Sequence, residues 1–396
     1  MSDPNPVVIT GCARTAIGAF LGDFKDKTAS ELGGAAIRAA VQRSNIGPDT
    51  VDDVVMGCVL TAGQGQAPAR QAALAAGLAR STGATTVNKM CGSGMKAIMQ
   101  MHDAIVAGHV SVGVAGGMES MSNAPYLIEK ARSGLRLGHG ALRDHMFLDG
   151  LEDAYDKGRL MGTFAEDCAE AYQFTREAQD AYALRSLTRA MDASKSGRFD
   201  WELETVTIKA RDDGHVVRVD EQPLKAKRDK IPALRPAFRA DGTVTAANSS
   251  SISDGAAAVV LMTLKEAERK GIRPIAALRG QATHAQAPNL FTTAPIGAIQ
   301  KLLDRTGWQM NDVDLFEINE AFAVVAMAAM HDLGLDHEKT NIHGGACALG
   351  HPIGASGARI VVTLIGALRA HNLKKGIASL CIGGGEATAL AIEMLQ

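Results

Sequence analysis

The feature of the sequence that most constrains its fold is an internal repeat. Three short segments recur in the same order later in the chain, at offsets of 262, 263 and 267 residues. They are residues 51–57 with 313–319, residues 93–96 with 356–359, and residues 116–119 with 383–386. Ordered matches at a nearly constant offset indicate a duplicated domain. The sequence therefore predicts two similar halves.

Strand-like and helix-like segments alternate within both halves. In the first, strand patterns at 7–9, 54–56 and 112–117 alternate with helix patterns at 28–41, 71–78 and from 91 onward. Further along, strand patterns at 256–262 and 315–318 alternate with helix patterns at 264–270 and from 295 onward. Thr28 and Glu31 form a capping box, which marks the start of the first helix. This alternation is typical of parallel β-α-β units in an α/β protein.

The middle of the chain departs from this alternation. Between about residues 120 and 250 the sequence predicts a capped helix at 175–195 and a hairpin whose strands, 206–208 and 216–219, flank Asp213-Gly214. We interpret this stretch as an insertion. The predicted domains are an N-terminal half at 1–120 continued at 251–272, an inserted loop domain at 121–250, and a C-terminal half at 273–396.

Composition argues against several classes of function. The chain has 396 residues with 41 basic and 43 acidic side chains, so we expect no broad basic face for nucleic acid. Its six cysteines include no Cys-x-x-Cys pair, which argues against a disulfide scaffold and a thiolate zinc site. The first residues carry no signal-peptide pattern, and no apolar run is expected to reach membrane-spanning length. We therefore expect a cytoplasmic protein that contacts neither nucleic acid nor membrane.

One cysteine lies where a strand-like run breaks through glycines into a helix-like run. In Asn-Lys-Met-Cys91-Gly-Ser-Gly94, Cys91 falls at or just before the first turn of a predicted helix. The free N–H groups and positive dipole end of a helix start favour a thiolate, which suits a nucleophile. Gly92 and Gly94 permit a tight turn and the close approach of another molecule. Alternatively, Cys91 only fills the core, which is the commoner fate of a free cysteine.

The second half carries reactive side chains at the loops that correspond to the Cys91 turn. They lie in Asn319-Glu-Ala-Phe322, Gly350-His351-Pro352 and Cys381-Ile-Gly383. Sites in open parallel sheets form beyond the carboxyl ends of the strands, so two related halves would bring these loops together. Within them, Glu320 either orients a partner or caps a helix predicted at 319–333.

Such a set of side chains fits a two-step acyl transfer. His351 would accept the proton of Cys91 and leave an acylatable thiolate. Cys381, with a sulfur whose pKa is tuned toward neutral pH, would take a proton from the α carbon of a thioester and return one to a leaving group. Backbone N–H groups near Cys91 and Gly383 would hold one oxyanion, and His351 with a water fixed by Asn319 would hold another. A lone histidine is more often structural, so this role depends on the two halves meeting.

These segments resemble the signature blocks of the thiolase family. The matching blocks are Asn-Lys-Met-Cys91-Gly-Ser-Gly, Gly-Gly-Met-Glu-Ser120, Asn319-Glu-Ala-Phe, Gly-His351-Pro-Ile-Gly-Ala-Ser-Gly and Cys381-Ile-Gly-Gly-Gly, in the family's order over nearly the whole chain. The resemblance implies a five-layered α-β-α-β-α fold of two duplicated βαβαβ halves with an inserted loop domain, usually assembled as a homotetramer. It also implies that Cys91 is acylated, His351 activates it, Cys381 is the general acid and base, and Asn319 holds the catalytic water.

The resemblance further implies substrate contacts. Ser250 would bind the pantetheine amide of CoA, and Met161, Ala321 and Phe322 would lie along the acyl group. A basic run, Lys225, Lys227, Arg228 and Lys230, would meet the CoA phosphates, although such a run is more often a solvated loop. Leu160, Leu224 and Ser251 depart from the residues that the family usually has. These departures leave the acyl chain length and the phosphate contacts open.

The reaction that the resemblance implies is that of an acetyl-CoA C-acetyltransferase of the short-chain type. Two acetyl-CoA molecules would give acetoacetyl-CoA and CoA, with CoA as a substrate and with no metal or redox cofactor; in the other direction, CoA would cleave a 3-ketoacyl-CoA. The alternatives are a 3-ketoacyl-CoA thiolase of broader chain length, a ketoacyl synthase that condenses onto a carrier protein, and a CoA or lipid carrier without turnover. A synthase would use histidines where this chain has Cys381, and a carrier would not need the intact reactive set.

Overall fold

Two sheets and the helices around them form most of the molecule, for which the computed structural model describes residues 4–208 and 215–395. The strands there are β1 (Val7–Thr15), β2 (Gly18–Ala19), β3 (Asp53–Gly57), β4 (Gly83–Val87), β5 (Val112–Ser120), β6 (Tyr126–Ile128), β7 (Leu142–Asp144), β8 (Leu203–Glu204), β9 (Val206–Ile208), β10 (His215–Val217), β11 (Ser253–Thr263), β12 (Ala276–Ala285), β13 (Leu315–Ile318), β14 (Lys375–Ile382) and β15 (Glu386–Met394). The α-helices are α1 (Ala29–Arg43), α2 (Pro68–Ala75), α3 (Ser93–Val106), α4 (Met161–Ala171), α5 (Arg176–Lys195), α6 (Glu221–Lys225), α7 (Leu264–Arg269), α8 (Ala294–Thr306), α9 (Ala323–Leu333), α10 (Ala346–Leu349) and α11 (Ile353–Ala370). A single π-helical turn spans Phe147–Leu151.

The strand order of the two sheets reproduces the repeat. Hydrogen bonds join the main strands in one order, β13-β14-β15-β12-β1-β11-β5-β3-β4, with β2 and β8 paired off this path. We call the part from the N-terminal half, β4-β3-β5-β11-β1, the first sheet, and the part from the C-terminal half, β13-β14-β15-β12, the second sheet. β3 is parallel to β5 as β13 is parallel to β14, and β11 is antiparallel to β5 as β15 is antiparallel to β14. Both antiparallel pairs depart from an all-parallel expectation. A tight turn joins β14 to β15, and such a turn can connect only antiparallel strands. β5 and β11 are separated in the chain by the inserted segment. A short pairing of Val8 with Ala277 joins the edges of the two sheets.

The helices complete five layers. α1 and α2 pack on the outer face of the first sheet, and α8 and α9 pack on the outer face of the second. α3 and α11 lie between the sheets and share one apolar core with strands of both. The five-layered α/β fold with duplicated halves is therefore confirmed.

Helix α11 corrects one expectation from the sequence. Its 18 residues have a mean hydropathy of 1.4, so by length and composition it reaches the size of a membrane span, which the sequence was not expected to contain. However, 89% of this segment is buried inside the protein. A helix that contacts two sheets and another helix must be apolar on nearly every side. The composition of α11 follows from its place in the central layer.

Local signals explain where several elements begin. The Thr28 side chain accepts the Glu31 N–H and the Glu31 carboxylate accepts the Thr28 N–H, as the capping box at the start of α1 predicted. The helix predicted from residue 319 instead begins at Ala323, whose N–H donates to the Asn248 carbonyl oxygen at 2.8 Å. Phe322 before it has extended dihedral angles. Residues 319–322 consequently form a loop at the end of β13.

The inserted segment is fixed to the halves by buried charges. Arg14 on β1 donates to Glu202 at 2.5 Å and to Asp220 at 2.7 and 2.9 Å, and all three side chains are buried. β9 and β10 pair antiparallel, as the predicted hairpin requires. The Asp213-Gly214 turn of that hairpin lies outside the described residues.

Glu320 forms a second anchor of the inserted segment. Its carboxylate accepts hydrogen bonds from the hydroxyls of Tyr182 and Ser186 on α5, at 2.9 and 2.7 Å. It also accepts from the Asn341 amide at 2.8 Å and from the Cys347 N–H at 3.1 Å. The capping interpretation of Glu320 is therefore wrong, and its carboxylate orients partners across the domain contact.

Candidate active site

A cavity of about 350 Å³ lies where the starts of α3 and α11 face the inserted segment. Cys91, His351 and Gly383 contribute to its lining, so the structure brings residues of both halves to one place. The rest of the lining is mostly apolar and includes Phe147, Leu151, Leu160, Met161, Phe238, Ile252, Phe291, Ala321, Phe322 and Ile353. The cavity thus combines a thiol and an imidazole with walls that suit an acyl chain.

A strained turn presents Cys91 to this cavity. Met90 before it has a φ of +47°, a left-handed conformation that costs a non-glycine residue about 1 kcal/mol or more. The Asn88 side chain accepts the Met90 N–H at 2.9 Å, and the Ser93 hydroxyl donates to the Met90 carbonyl at 2.6 Å. α3 begins at Ser93 with Gly92 as its N-cap, so Cys91 lies one residue before the cap, just ahead of the first turn as predicted. Strain of this kind is concentrated at functional sites.

Glycines let α3 and α11 approach backbone to backbone beside Cys91. A Cβ atom at Gly94 would lie 2.8 Å from the Ala358 nitrogen, and one at Gly357 would lie 2.5 Å from the Met95 nitrogen. Real Cβ atoms do not make such contacts, so neither position accepts a side chain without movement. The predicted approach of another molecule at Gly94 is therefore wrong, because the backbone of α11 occupies that space.

The Cys91 thiol is protonated at neutral pH. Burial raises the pKa of this thiol to about 11, while the N–H groups of Gly383 and of Cys91 itself act to lower it. The negative charge of Glu119 adds to the increase. The expectation that the helix start alone favours a thiolate is wrong here, because desolvation outweighs the backbone N–H groups. Cys91 therefore needs a base to become a nucleophile.

His351 lines the same cavity and carries a free ring nitrogen that suits such a base, and no hydrogen bond joins this nitrogen to Cys91. Its Nδ1 lies 2.5 Å from the Ser356 hydroxyl oxygen, and that hydroxyl donates to the Pro352 carbonyl at 3.0 Å. Since the hydroxyl proton is used in this way, the Ser356 oxygen accepts the Nδ1–H of the imidazole. Nε2 then carries the lone pair, and it has no hydrogen-bond partner within the part of the chain that the structure describes. Burial and the charge of Arg359 lower the pKa of His351 to about 3, so the imidazole is neutral.

Cys381 lies at the end of β14, fully buried against the wall of the cavity. It packs in one apolar cluster with Phe164, Ala321 and Phe322. Burial raises the pKa of Cys381 well above that of an ordinary thiol, and the Cys91 sulfur raises it further. The sequence-based expectation of a pKa near neutral is therefore wrong. Cys381 is therefore protonated at rest, and it packs behind Ala321 and Phe322 of the cavity wall and does not line the cavity itself.

Asn319 lies immediately after β13 and is buried. Its Oδ1 accepts a hydrogen bond from Arg359 Nη2 at 3.3 Å. Its Nδ2 has no partner among residues 4–208 and 215–395. An unpaired buried donor is costly, so it marks a position where a water or substrate oxygen would be bound. The predicted role of Asn319 as the holder of a water stays a prediction that this geometry accommodates.

The substrate contacts predicted around the acyl group all line the cavity. Met161, at the start of α4, and Ala321 and Phe322, in the loop before α9, contribute apolar surface. Ser250 also lines the cavity, and its hydroxyl donates to the Ala321 carbonyl at 2.9 Å. That hydroxyl oxygen keeps lone pairs with which it can accept an amide N–H.

The four residues of the basic run do not all lie at the same place on the protein. Lys227 and Lys230 line a second cavity of about 290 Å³, which shares Ala246 and Ser251 with the first. Lys225 instead pairs with Glu221, and Arg228 contacts the Met191 sulfur at 3.4 Å. The rest of the second cavity is mostly apolar, so these two lysines are the charged groups of its lining. Of the predicted phosphate contacts, Lys227 has the better placement.

Sequence reasoning missed several residues of the site. Phe147, Phe238 and Phe291 were not identified, because isolated aromatics in loops carry no periodic signal. Ser356 lies within the block that contains His351, yet only the structure shows that it fixes the imidazole. Within the described residues no group of three or more His, Cys, Asp or Glu side chains is arranged to hold a metal. The groups available for chemistry are two thiols, an imidazole, an amide and backbone N–H groups.

Comparison with known proteins gives similarities over the whole chain. Residues 7–265 match the family model described as Thiolase, N-terminal domain, and residues 272–394 match Thiolase, C-terminal domain. The chain is 50% identical to Acetyl-CoA acetyltransferase 1 of Arabidopsis thaliana over 99% of this chain and 95% of that protein. It is 46% identical to the acetyl-CoA acetyltransferase of Cupriavidus necator over 98% of this chain and 99% of that protein. The crystal structure of the Bacillus anthracis acetyl-CoA acetyltransferase is similar with a TM-score of 0.96, 43% sequence identity and 99% coverage of each chain.

Proposed function

The chain belongs to the thiolase family, and on this premise we propose that it is an acetyl-CoA C-acetyltransferase, an acyltransferase that reversibly converts two acetyl-CoA into acetoacetyl-CoA and CoA. The observation that carries the proposal is that Cys91 and His351 line one apolar cavity, and that His351 Nε2 has no hydrogen-bond partner among the described residues. Relatives named acetyl-CoA acetyltransferase over nearly the full chain favour this function over a thiolase of broader chain length, a ketoacyl synthase or a carrier.

The first step transfers an acetyl group to Cys91. His351 Nε2 takes the Cys91 proton, and the sulfur attacks the thioester carbon of acetyl-CoA. The N–H groups of Gly383 and Cys91, which already act on the sulfur, are placed to stabilise the tetrahedral oxyanion. When the bond to CoA breaks, Cys381 gives its proton to the leaving thiolate. This leaves acetyl-Cys91, an imidazolium at His351 and a thiolate at Cys381.

The second step makes the carbon–carbon bond. The Cys381 thiolate takes a proton from the methyl group of a second acetyl-CoA, and its raised pKa makes it a strong enough base for this weak acid. The His351 imidazolium and a water held by Asn319 Nδ2 stabilise the enolate oxygen. The enolate attacks acetyl-Cys91 and displaces the sulfur, which recovers its proton from His351. All groups return to their starting protonation states.

CoA occupies both cavities in this proposal. The acyl group and the end of the pantetheine lie in the inner cavity beside Met161 and Ser250, and the phosphates lie toward Lys227 and Lys230. CoA is a substrate here, and the proposal assigns no separate cofactor. The shared lining at Ala246 and Ser251 supports a continuous path between the two.

The assembly proposed is a homotetramer, and the location proposed is the cytoplasm. The hairpin β6–β7 supports an assembly, because Tyr126 and Leu142 on it are each 65% exposed and Ile128 is 53% exposed. Exposed apolar side chains that cluster in this way mark contact surfaces. Light scattering on the purified chain tests the tetramer, and a monomer at micromolar concentration would rule it out.

Radiolabelled acetyl-CoA tests the activity. The wild type should retain label as a thioester after denaturation and should consume acetoacetyl-CoA when CoA is added. Cys91→Ala should do neither, while Cys12→Ala, which removes a thiol from the core, should retain both. Label that persists in Cys91→Ala would refute the assignment. Turnover on 3-ketoacyl-CoA substrates of increasing length would show the chain-length range.

A further inference from the structure

Arg359 is a buried cation with few partners of its own. It is 2% exposed on α11, and its firmest contact is the bond from Nη2 to Asn319 Oδ1 at 3.3 Å. The Glu317 carboxylate lies 3.7 Å from Nη1, while Nε and Nη1 have no hydrogen-bond partner within the described residues. Burying a guanidinium is costly unless it is well paired. A contribution to the stability of the fold therefore does not explain why Arg359 is buried here.

A second buried arginine, on β1, forms the close ion pairs expected of an arginine with a purely structural role. Arg14 is fully buried, and its guanidinium donates to Glu202 and Asp220 through three bonds of 2.5 to 2.9 Å. Both arginines are removed from water, yet only Arg14 is closely matched by carboxylates. Arg359 lacks the contacts that would make it an efficient structural ion pair.

The position of Arg359 links two parts of the site. Glu317 and Asn319 are two residues apart at the end of β13, so their side chains point to the same face of the sheet. Ser356 and Arg359 are three residues apart on α11, so they lie on one face of that helix. Ser356 holds His351, and Arg359 holds Asn319. One turn of α11 thus supports both groups that would contact the enolate oxygen.

We propose, on the basis of the function proposed above, that Arg359 is a positioning residue that fixes the amide of Asn319 with Nδ2 toward the substrate. A guanidinium has only donors, so the amide atom beside it must be the acceptor Oδ1. The opposite end of the amide is then the donor Nδ2, which has no partner in the described residues. If the amide were rotated by 180°, its oxygen would face the bound water and would compete with the enolate oxygen for the protons of that water. Arg359 selects the orientation that stabilises negative charge.

This role predicts a different effect on the two steps of the reaction. Acetyl transfer to Cys91 uses the Gly383 and Cys91 N–H groups, so it does not depend on the Asn319 amide. Enolate formation does depend on it. In Arg359→Lys the positive charge remains, but the planar fork that meets Oδ1 is lost. We expect labelling of Cys91 to change by less than about threefold, and enolate formation and condensation to fall by about 10- to 100-fold.

The test measures both steps in the same samples. Cys91 labelling by radiolabelled acetyl-CoA reports acetyl transfer, and exchange of the acetyl-CoA methyl protons in D₂O reports enolate formation. Arg14→Lys is the matched control, and it should change the two rates by the same factor. Arg359→Gln is a second variant in case the lysine variant folds poorly. It keeps a neutral donor but removes the charge that lowers the pKa of His351, so labelling should also change, and proton exchange should still fall by the larger factor. Circular dichroism and thermal melting check folding throughout.

A double-mutant cycle with Asn319→Ala completes the test. If Arg359 acts through Asn319, Arg359→Lys should add less than about twofold to the exchange defect of Asn319→Ala. Equal loss of labelling and exchange in both folded Arg359 variants, no loss in either, or additive defects would overturn the positioning role. A wild type that fails to label at Cys91 would instead overturn the proposed function, so the two failures are distinguishable.

Discussion

The hydrogen bond between Ser356 and His351 gives the most direct test of how the site activates its nucleophile. Ser356 is fully buried, and its oxygen accepts the Nδ1–H of His351 while its proton is given to the Pro352 carbonyl. In Ser356→Ala the Nδ1–H loses its acceptor. The imidazole tautomer that keeps Nε2 free to take the Cys91 proton is then no longer favoured.

The size of the effect follows from the cost of the unpaired group. A buried donor without a partner costs about 1–3 kcal/mol. Each 1.36 kcal/mol in the barrier changes a rate tenfold, so the rate of acetyl transfer should fall by about 5- to 150-fold. KM should change by less than about twofold, because Ser356 supports His351 and does not itself bind substrate.

Rapid-quench measurement of Cys91 labelling in a single turnover is the appropriate assay. Ser44→Ala is the matched control, since Ser44 is a buried serine whose hydroxyl lies 2.6 Å from that of Thr10, between β1 and the end of α1. It should lose stability and keep the rate of labelling. The reasoning fails if Ser356→Ala labels at the rate of the wild type, or if Ser44→Ala slows labelling equally.

Thiol ionisation, the anchoring of the inserted segment and the outer cavity each give a further measurable outcome. Alkylation of Cys91 by iodoacetamide should be slow at pH 7 and should accelerate about tenfold per pH unit up to pH 10, because only the thiolate reacts and burial raises its pKa to about 11; a plateau near pH 8 would contradict this. Glu320→Ala should lower the free energy of unfolding in urea by about 3 kcal/mol or more, since four buried donors lose their acceptor, and a loss below about 1 kcal/mol would show that they find other partners. Lys227→Ala should raise KM for CoA about threefold, more at low salt, whereas Lys225→Ala should leave it unchanged because Lys225 already pairs with Glu221; equal effects would place the phosphates elsewhere.

Much of the fold could be predicted because strong local signals mark its elements. β13 was predicted with its observed bounds, since three apolar residues, Leu315, Phe316 and Ile318, stand between polar segments. α1 was predicted from its capping box. β12 and β15 were not identified, because their alanine-rich sequences carry little strand preference of their own. They form strands because neighbouring strands supply the hydrogen bonds, and that information is not local.

The convergence of the site could be predicted, but its electrostatics could not. The repeat alone implied that loops of the two halves meet, and Cys91 and His351 do line one cavity. The protonation of Cys91 and Cys381 depends on how deeply each sulfur is buried, which no spacing of residues reveals. The support that Arg359 gives to Asn319 was equally invisible, because an arginine in a helix pattern is normally read as a surface residue.

The backbone contact between α3 and α11 at Gly94 and Gly357 determines which parts of the site can accept substitutions within the family. Main-chain atoms of the two helices are in contact there, with no side chain between them that could change its conformation. The backbone therefore fixes the distance between the Cys91 sulfur and the His351 imidazole. Larger or smaller residues elsewhere in the interior can repack without altering that distance. The apolar wall can therefore diverge and admit new acyl groups while the reacting atoms keep their alignment.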